Sequence, residues 1–439
     1  MKGKRVLCWF TDNLRLHDNE MLWQAATKAS AVLPVYIIPE RWFKSNALGF
    51  PKAGAFRLKF LLESLTDLQD QLKAKQANLL VLRGEPSEII NRLVKEHNIQ
   101  HVVASTAVTA EEWQDFNHTE KELKKVQVPI DYYWQNTLYH LNDIPWPIHR
   151  LPENFTAFRK EAEQEATVRQ SFPVPDVIPF DFKIETSSIP SLEDWNISHP
   201  KNDVRTAYPF RGGEQAALQH VQQYIWEDER IATYKETRNE LIGTAYSSKL
   251  SAWLAVGSIS PRYVYEEVKK FEEKRIKNDS TYWLIFELMW RDYFRFAAKK
   301  YGHAIFLKNG IRNKKYTWQN DVEKFEKWRL GKTGERFIDA NMRELLHTGF
   351  MSNRGRQNVA CYLAKDLKVN WTWGAAWFES QLIDYDVCSN WLNWAYIAGV
   401  GNDPREDRYF NTESQVRKYD PKGIYMERWL GPINETIKP

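Results

Sequence analysis

Over residues 1–135, short apolar runs alternate with longer segments of helical period. The runs lie at 6–10, 32–38, 79–82, 101–105 and 129–134; the helical segments lie at 19–29, 54–75, 86–96 and 111–124. A continuous apolar run is what a strand buried on both faces requires. Strand–helix alternation therefore predicts a parallel sheet covered on both sides. No Gly-x-Gly-x-x-Gly follows the first run, so the topology is Rossmann-like without the dinucleotide fingerprint. Residues 136–212 are dense in proline and weak in period, which reads as a long connector with one helix within 155–167. From 213 to 439 helical patterns dominate, at 214–226, 261–274, 281–301, 335–348, 353–366 and 373–383. Ser260 before Pro261 is an N-cap followed by proline at the first helical position, and Gly349 after Thr348 is a helix stop. The expected fold is α/β + all-α: an N-terminal parallel-sheet domain (1–135), a connector (136–212) and a helical domain (213–439).

Bulk properties narrow the class. The 439 residues suffice for two or three domains. Net charge is +4 and pI about 8.6, which permits a polyanionic partner without requiring one. Cys8, Cys361 and Cys388 have no metal-like spacing, and an odd, low count suits a reducing cytoplasm. No apolar run reaches the roughly 20 residues needed to span a bilayer. The N-terminus runs straight into a strand pattern, so no leader peptide is expected. Aromatic content is 14 %, with 19 Trp, 20 Tyr and 22 Phe. Large cores account for that, as does a function built on stacking or electron transfer.

Candidate chemistry concentrates in the helical part. Asn353-Arg354-Gly355-Arg356-Gln357, Asp384-Tyr385-Asp386 and Asn390-Trp391-Leu392-Asn393-Trp394 combine carboxylates, guanidinium groups, amides and large aromatics. That inventory suits a buried, polar, redox-active aromatic ligand. Arg356 and Asp384 have the charges for an ion pair, beside a ligand or purely between helices. The run Tyr246-Ser247-Ser248-Lys249-Leu250-Ser251 places three serine hydroxyls and a lysine before an apolar helix. It reads either as a diphosphate cradle or as a plain serine cap. Glu287 lies on a strongly apolar helix, where an unpaired carboxylate costs several kcal/mol; pairing with Arg291 at i+4 is the simple remedy. The polar stretch from Thr11 to Asn19 follows the first strand, where ligands bind in open α/β sheets, or forms a turn capped by Asp18 or Asn19. Trp318, Trp371 and Trp394 are irregularly spaced and by themselves read as core.

These motifs, together with Trp9-Phe10 and the stretch Gly399 to Phe410, resemble the photolyase and cryptochrome family over the whole chain. Within it they are most similar to DASH-type cryptochromes. The resemblance implies FAD in the helical domain, held by Tyr234, Ser247, Ser248, Lys249, Leu250, Ser251, Arg356, Asp384, Asp386 and Asn390. Asn390 matches the position nearest the reactive ring nitrogen N5. It implies catalytic roles for Glu287 and Asn353, with electron transfer along Trp394, Trp371 and Trp318. It implies DNA contacts from Arg238, Trp290, Arg354, Gln357, Tyr396 and Gln415, with Arg405 and Arg408 on a basic rim. The implied activity is light-driven repair of cyclobutane pyrimidine dimers by a deoxyribodipyrimidine photolyase, preferring single-stranded DNA. Gln357 and Tyr396 replace the Met and Trp usual in duplex-specific enzymes, which changes how much stacking offsets base flipping. A methenyltetrahydrofolate antenna is expected, with Glu111 or Glu112 as its acidic contact. The chain is expected to be a cytoplasmic monomer without a metal. The alternatives are a blue-light signalling cryptochrome with little repair activity and a dark flavin oxidoreductase.

Overall fold

The computed structural model describes residues 1–184, 188–405 and 408–431. Strands β1 (Arg5–Phe10), β2 (Ala31–Pro39), β3 (Leu80–Gly84), β4 (His101–Ser105) and β5 (Ile130–Tyr133) form one parallel sheet in the order β3-β2-β1-β4-β5. Strand β1 pairs with β2 on one side and β4 on the other. Its alternate side chains enter two cores: Val6, Cys8 and Phe10 face one layer, Leu7 and Trp9 the other. The strand order reverses at β1, so the loop after it opens at a topological switch point, the usual ligand position in such sheets.

The expected helix 281–301 begins two residues earlier. Asn278 caps Asp279–Tyr301 by accepting from the N–H groups of Ser280 (2.9 Å) and Thr281 (3.0 Å). Ser260 caps Pro261–Lys274, and Gly349 ends Arg336–Thr348 at φ 67°. Two expected helices change character midway. Glu214–Val221 continues as a π-turn at Gln222–Glu227, and Asn353–Cys361 continues as one at Tyr362–Asp366. A single widened turn keeps the apolar face buried, so periodicity alone reads straight through it. Helices Val322–Arg329, Val387–Ala398, Thr412–Tyr419 and Ile424–Leu430 add to the expected set.

Buried polar groups lock the sheet domain to the helices. Glu214 accepts from the backbone N–H of Leu16 (2.7 Å) and His17 (3.1 Å) and contacts the His17 ring (2.5 Å). Asp18 accepts from the Arg262 guanidinium. Arg15 is fully buried and donates to the carbonyls of Gly257 (2.9 Å), Asp18 (3.0 Å) and Gln135 (3.0 Å). Gly257 sits at φ 71°, and a Cβ there would lie 1.8 Å from the Asp12 carbonyl, so only glycine admits this approach. Asp292 fixes the connector by accepting from the N–H groups of Leu138 (2.9 Å) and Tyr139 (2.8 Å); burial outweighs these bonds and pushes its carboxyl up to about 7. Among the described residues no helix is long and apolar enough to cross a membrane.

Candidate functional site

A cavity of about 400 Å³ opens inside the helical part, and a smaller one of about 90 Å³ adjoins it. Both are lined by Asn353, Arg356, Gln357, Asp384, Asp386 and Ser389, so they form one recess. The larger space also brings together Tyr234, Arg238, the stretch Ser247 to Ser251, Glu287, Trp290, Tyr396 and Arg408. The smaller adds Asn390 and Trp394. Arg354, Gln415, Trp371 and Trp318 line neither.

The deep end is built on the N-terminus of Val387–Ala398. Asp386 caps that helix by accepting from Ser389 N–H (2.7 Å), and its other oxygen accepts from Arg295 (2.8 Å). Burial pushes this carboxyl up, but Arg295 and Arg291 outweigh it and hold it at about 2. Arg295 also donates to Asp12 (2.9 Å), in the loop after β1. Arg356 donates to both oxygens of Asp384 (3.0 and 2.8 Å) and to the Met351 carbonyl (2.9 Å), while Ser251 donates to Asp384 (2.7 Å). Asn390 donates its amide N–H to the Ala375 carbonyl (3.0 Å), which orients its Oδ1 as the remaining acceptor.

The turn before Ser251–Val256 holds Ser247 at φ 58° and Lys249 at φ 56°, with Leu250 at φ −67°. Such alternation of backbone hand is the signature of an anion nest. Lys249 differs from the simple expectation of an ammonium offered to phosphate. It is 2 % exposed, donates to the Tyr246 carbonyl (2.6 Å) and lies over the Tyr246 ring. Burial lowers its pKa well below the usual lysine value, against the opposing pull of Glu344 and Glu240. Hydroxyls, nest, ion pair and oriented amide together fit FAD: anion donors at one end, polar partners for a flavin ring at the other.

The outer wall carries Glu287, whose side chain is 28 % exposed and pairs with Arg238 at 2.7 Å. Burial raises its pKa and Arg238 opposes that rise. Arg291 is not its partner; that guanidinium donates to the carbonyls of Asn136 and Leu254. Trp290 stacks on Phe155 (3.8 Å, 11°) and meets Tyr396 edge-on (6.1 Å, 89°). Tyr396 accepts from Arg408 (2.8 Å). Arg354 donates to Gln357 (2.8 Å) and Asn239 (2.9 Å) and covers the Tyr419 ring. Gln415 and Arg405 line a surface hollow that shares Arg408 with the recess.

Trp394 leaves the recess inward. It packs so tightly on Gly374 that a Cβ there would lie 2.3 Å from its Cη2. Gly374 shares the helix Trp371–Gln381 with Trp371, which is fully buried. Trp371 and Trp318 donate their indole N–H groups to the same carbonyl, that of Lys308 (3.0 and 3.1 Å). Trp318 is half-buried at the surface. The three tryptophans thus run from cavity through core to exterior.

A further cavity, about 160 Å³, lies between the C-terminal ends of the strands and the helical part, lined by Asp12, Arg41, Glu112 and Tyr385 among others. Glu112 caps its own helix by accepting from Val108 and Thr109 N–H, and Glu111 pairs with Arg41 (2.5 Å) and Lys52. Sequence reasoning passed over Asp12 and Arg295 as a pair. The signal was there: Arg295 interrupts the apolar run Tyr293-Phe294-Arg295-Phe296-Ala297-Ala298, and a charge on a buried face demands a partner.

Comparison with known proteins agrees with this geometry. Residues 6–176 match the DNA photolyase family and 283–437 the FAD binding domain of DNA photolyase. Cryptochrome DASH of Gloeobacter violaceus is 48 % identical over 98 % of this chain and 86 % of its own. That of Xenopus laevis is 47 % identical over 98 % and 83 %. A solved Synechocystis cryptochrome superposes with TM-score 0.93 at 46 % identity, covering 98 % of this chain and 89 % of that one. A bacterial class III photolyase from Agrobacterium tumefaciens gives 0.84 at 26 % identity over 98 % and 87 %. Sheet order, helical recess and near full-length similarity agree: the chain belongs to the photolyase/cryptochrome family, on its cryptochrome DASH branch.

Proposed function

We propose that this protein repairs cyclobutane pyrimidine dimers, preferentially in single-stranded DNA. The observation that carries the reading is one recess with two differently equipped ends. Its deep end has the ion pair and oriented amide for FAD; its outer end has Glu287, Trp290, Gln357 and Tyr396 for a flipped dimer. Bound FAD, reduced and excited by light, supplies the electron that opens the cyclobutane ring.

The remaining roles belong to side chains. Arg356, paired with Asp384, places fixed positive charge beside the ring site, which favours an anionic reduced ligand. Asn390 holds an acceptor there that cannot titrate. Trp290 and Tyr396 present aromatic faces and edges to the dimer, and Glu287 and Asn353 offer it hydrogen bonds. Trp394, Trp371 and Trp318 provide a hopping route to the surface. Arg238, Arg354, Arg405, Arg408 and Gln415 supply the DNA contacts, and single-stranded substrate avoids the cost of unpairing. A methenyltetrahydrofolate antenna, a three-part division at 1–135, 136–212 and 213–439, and a monomer in the cytoplasm complete the reading.

The deciding experiment is blue-light repair of a thymine dimer in a single-stranded oligonucleotide, with a matching duplex and dark controls. Light-dependent loss of dimer, faster on the single strand, is the expected result. Bound, photoreducible FAD without repair of either substrate would replace this reading with blue-light signalling.

A further inference from the structure

We propose that the surface around Trp318 is a docking site for a small anionic one-electron reductant. The proposal rests on the reading above, in which Trp318 ends the tryptophan route. Tyr316 lies edge-on to Trp318, ring centres 5.8 Å apart, and is 40 % exposed, so two rings carry π-surface to solvent here.

Among the described residues, the chain segments that carry and face these rings are rich in cations. Between Tyr301 and Asp321 the chain has no acidic residue, but it carries Lys308, Arg312 and Lys315. The facing turn adds Lys365, its ammonium 6.0 Å from the Tyr316 ring centre, and Lys368, whose carbonyl accepts from Gln319 N–H (2.8 Å). Lys308, Arg312, Lys315 and Lys368 are exposed. Among the described residues, the acids next to these segments in sequence are Asp321 and Asp366, and each accepts a hydrogen bond. Asp321 caps the helix Val322–Arg329 by accepting from Lys324 N–H (3.0 Å), and Asp366 accepts from the Tyr409 hydroxyl (2.7 Å).

A cationic surface of this kind concentrates diffusing anions at the ring that must be re-reduced. An enediolate such as the ascorbate monoanion closes the electron balance. It gives one electron to the Trp318 radical cation, restoring the neutral indole, and releases its hydroxyl proton to water as it becomes its own radical.

The test follows the decay of the tryptophan radical after a light flash on FAD-loaded protein, with ascorbate or neutral hydroquinone as reductant. The ascorbate rate constant should fall roughly tenfold in Lys315→Glu/Lys365→Glu, and fall with added salt, while that of hydroquinone stays within about twofold. The salt titration makes the same discrimination on the unsubstituted protein, should the double variant fold poorly. Equal responses of the two reductants, or none for ascorbate, would overturn the docking site alone. A flash that yields no tryptophan radical in the unsubstituted protein would overturn the electron route and the docking site with it.

Discussion

Gly374→Ala tests whether Trp394 is held by close packing. On a solvent-exposed helix this change stabilises, by about 1 kcal/mol of propensity. Here the new Cβ would fall 2.3 Å from Trp394 Cη2, 2.6 Å from its Cζ3 and 2.7 Å from Leu363 Cδ2. The leucine methyl can rotate away. The indole cannot, because it is wedged against Trp328 (5.9 Å, 76°) and Phe378 (5.1 Å, 81°). Overpacking of this kind costs about 1–3 kcal/mol, so the propensity gain is cancelled and a net loss of up to about 2 kcal/mol is expected. Phenylalanine at 394 lacks both clashing carbons. Combining Gly374→Ala with Trp394→Phe should therefore recover about 1 kcal/mol or more relative to the sum of the single changes. Urea unfolding of the two single variants and the double variant reads this coupling directly. Additive losses would mean that Trp394 does not rest on Gly374, and the inner leg of the route would lose its structural basis.

Trp394→Phe should leave FAD bound but abolish photoreduction of its oxidised form; photoreduction at the normal rate, followed by absorbance under blue light, would remove Trp394 from the route. Glu287→Ala should lower the repair quantum yield by roughly tenfold, the weak end of a hydrogen bond to a charged group, with the FAD spectrum retained. Unchanged repair would exclude Glu287 from the mechanism. Glu344 predicts a pH dependence. It is buried and accepts from the Tyr425 hydroxyl (2.6 Å), yet burial outweighs that bond and the pulls of Lys249 and Arg356, pushing its carboxyl up to about 7. Between about 4.5, its ordinary value, and 7 the folded chain holds a proton that the unfolded chain has released. Stability should thus fall as pH rises through that window, by about 3 kcal/mol at most from this group. Glu344→Gln should flatten the slope, leaving the similar share from Asp292; an unchanged slope in urea titrations would refute the assignment.

Element types were legible because period and punctuation agreed. His101–Ser105 and Pro261–Lys274 fall where an apolar run and a Ser-Pro start put them. The π-turns were not legible, since one extra residue per turn leaves the buried face almost unchanged. The site was legible as an inventory, less so as an arrangement. Complementary charge suggested Arg356 with Asp384, but local spacing pointed from Glu287 to Arg291, whereas the structure pairs Glu287 with Arg238, distant in sequence. Lys249 shows the same limit: whether an ammonium faces a cavity or its own turn depends on packing that no linear pattern encodes.

Arg295 stands between Asp12 of the sheet domain and Asp386 of the helix that carries Asn390 and Trp394. Its guanidinium therefore belongs to two folding units at once. Separating the two would take Asp12 from this guanidinium and leave its donor bonded to Asp386 alone. The two parts should melt in one cooperative transition. A sheet domain grafted from a relative should couple most tightly when it brings a carboxylate to position 12 as well as partners for Glu214 and Arg262.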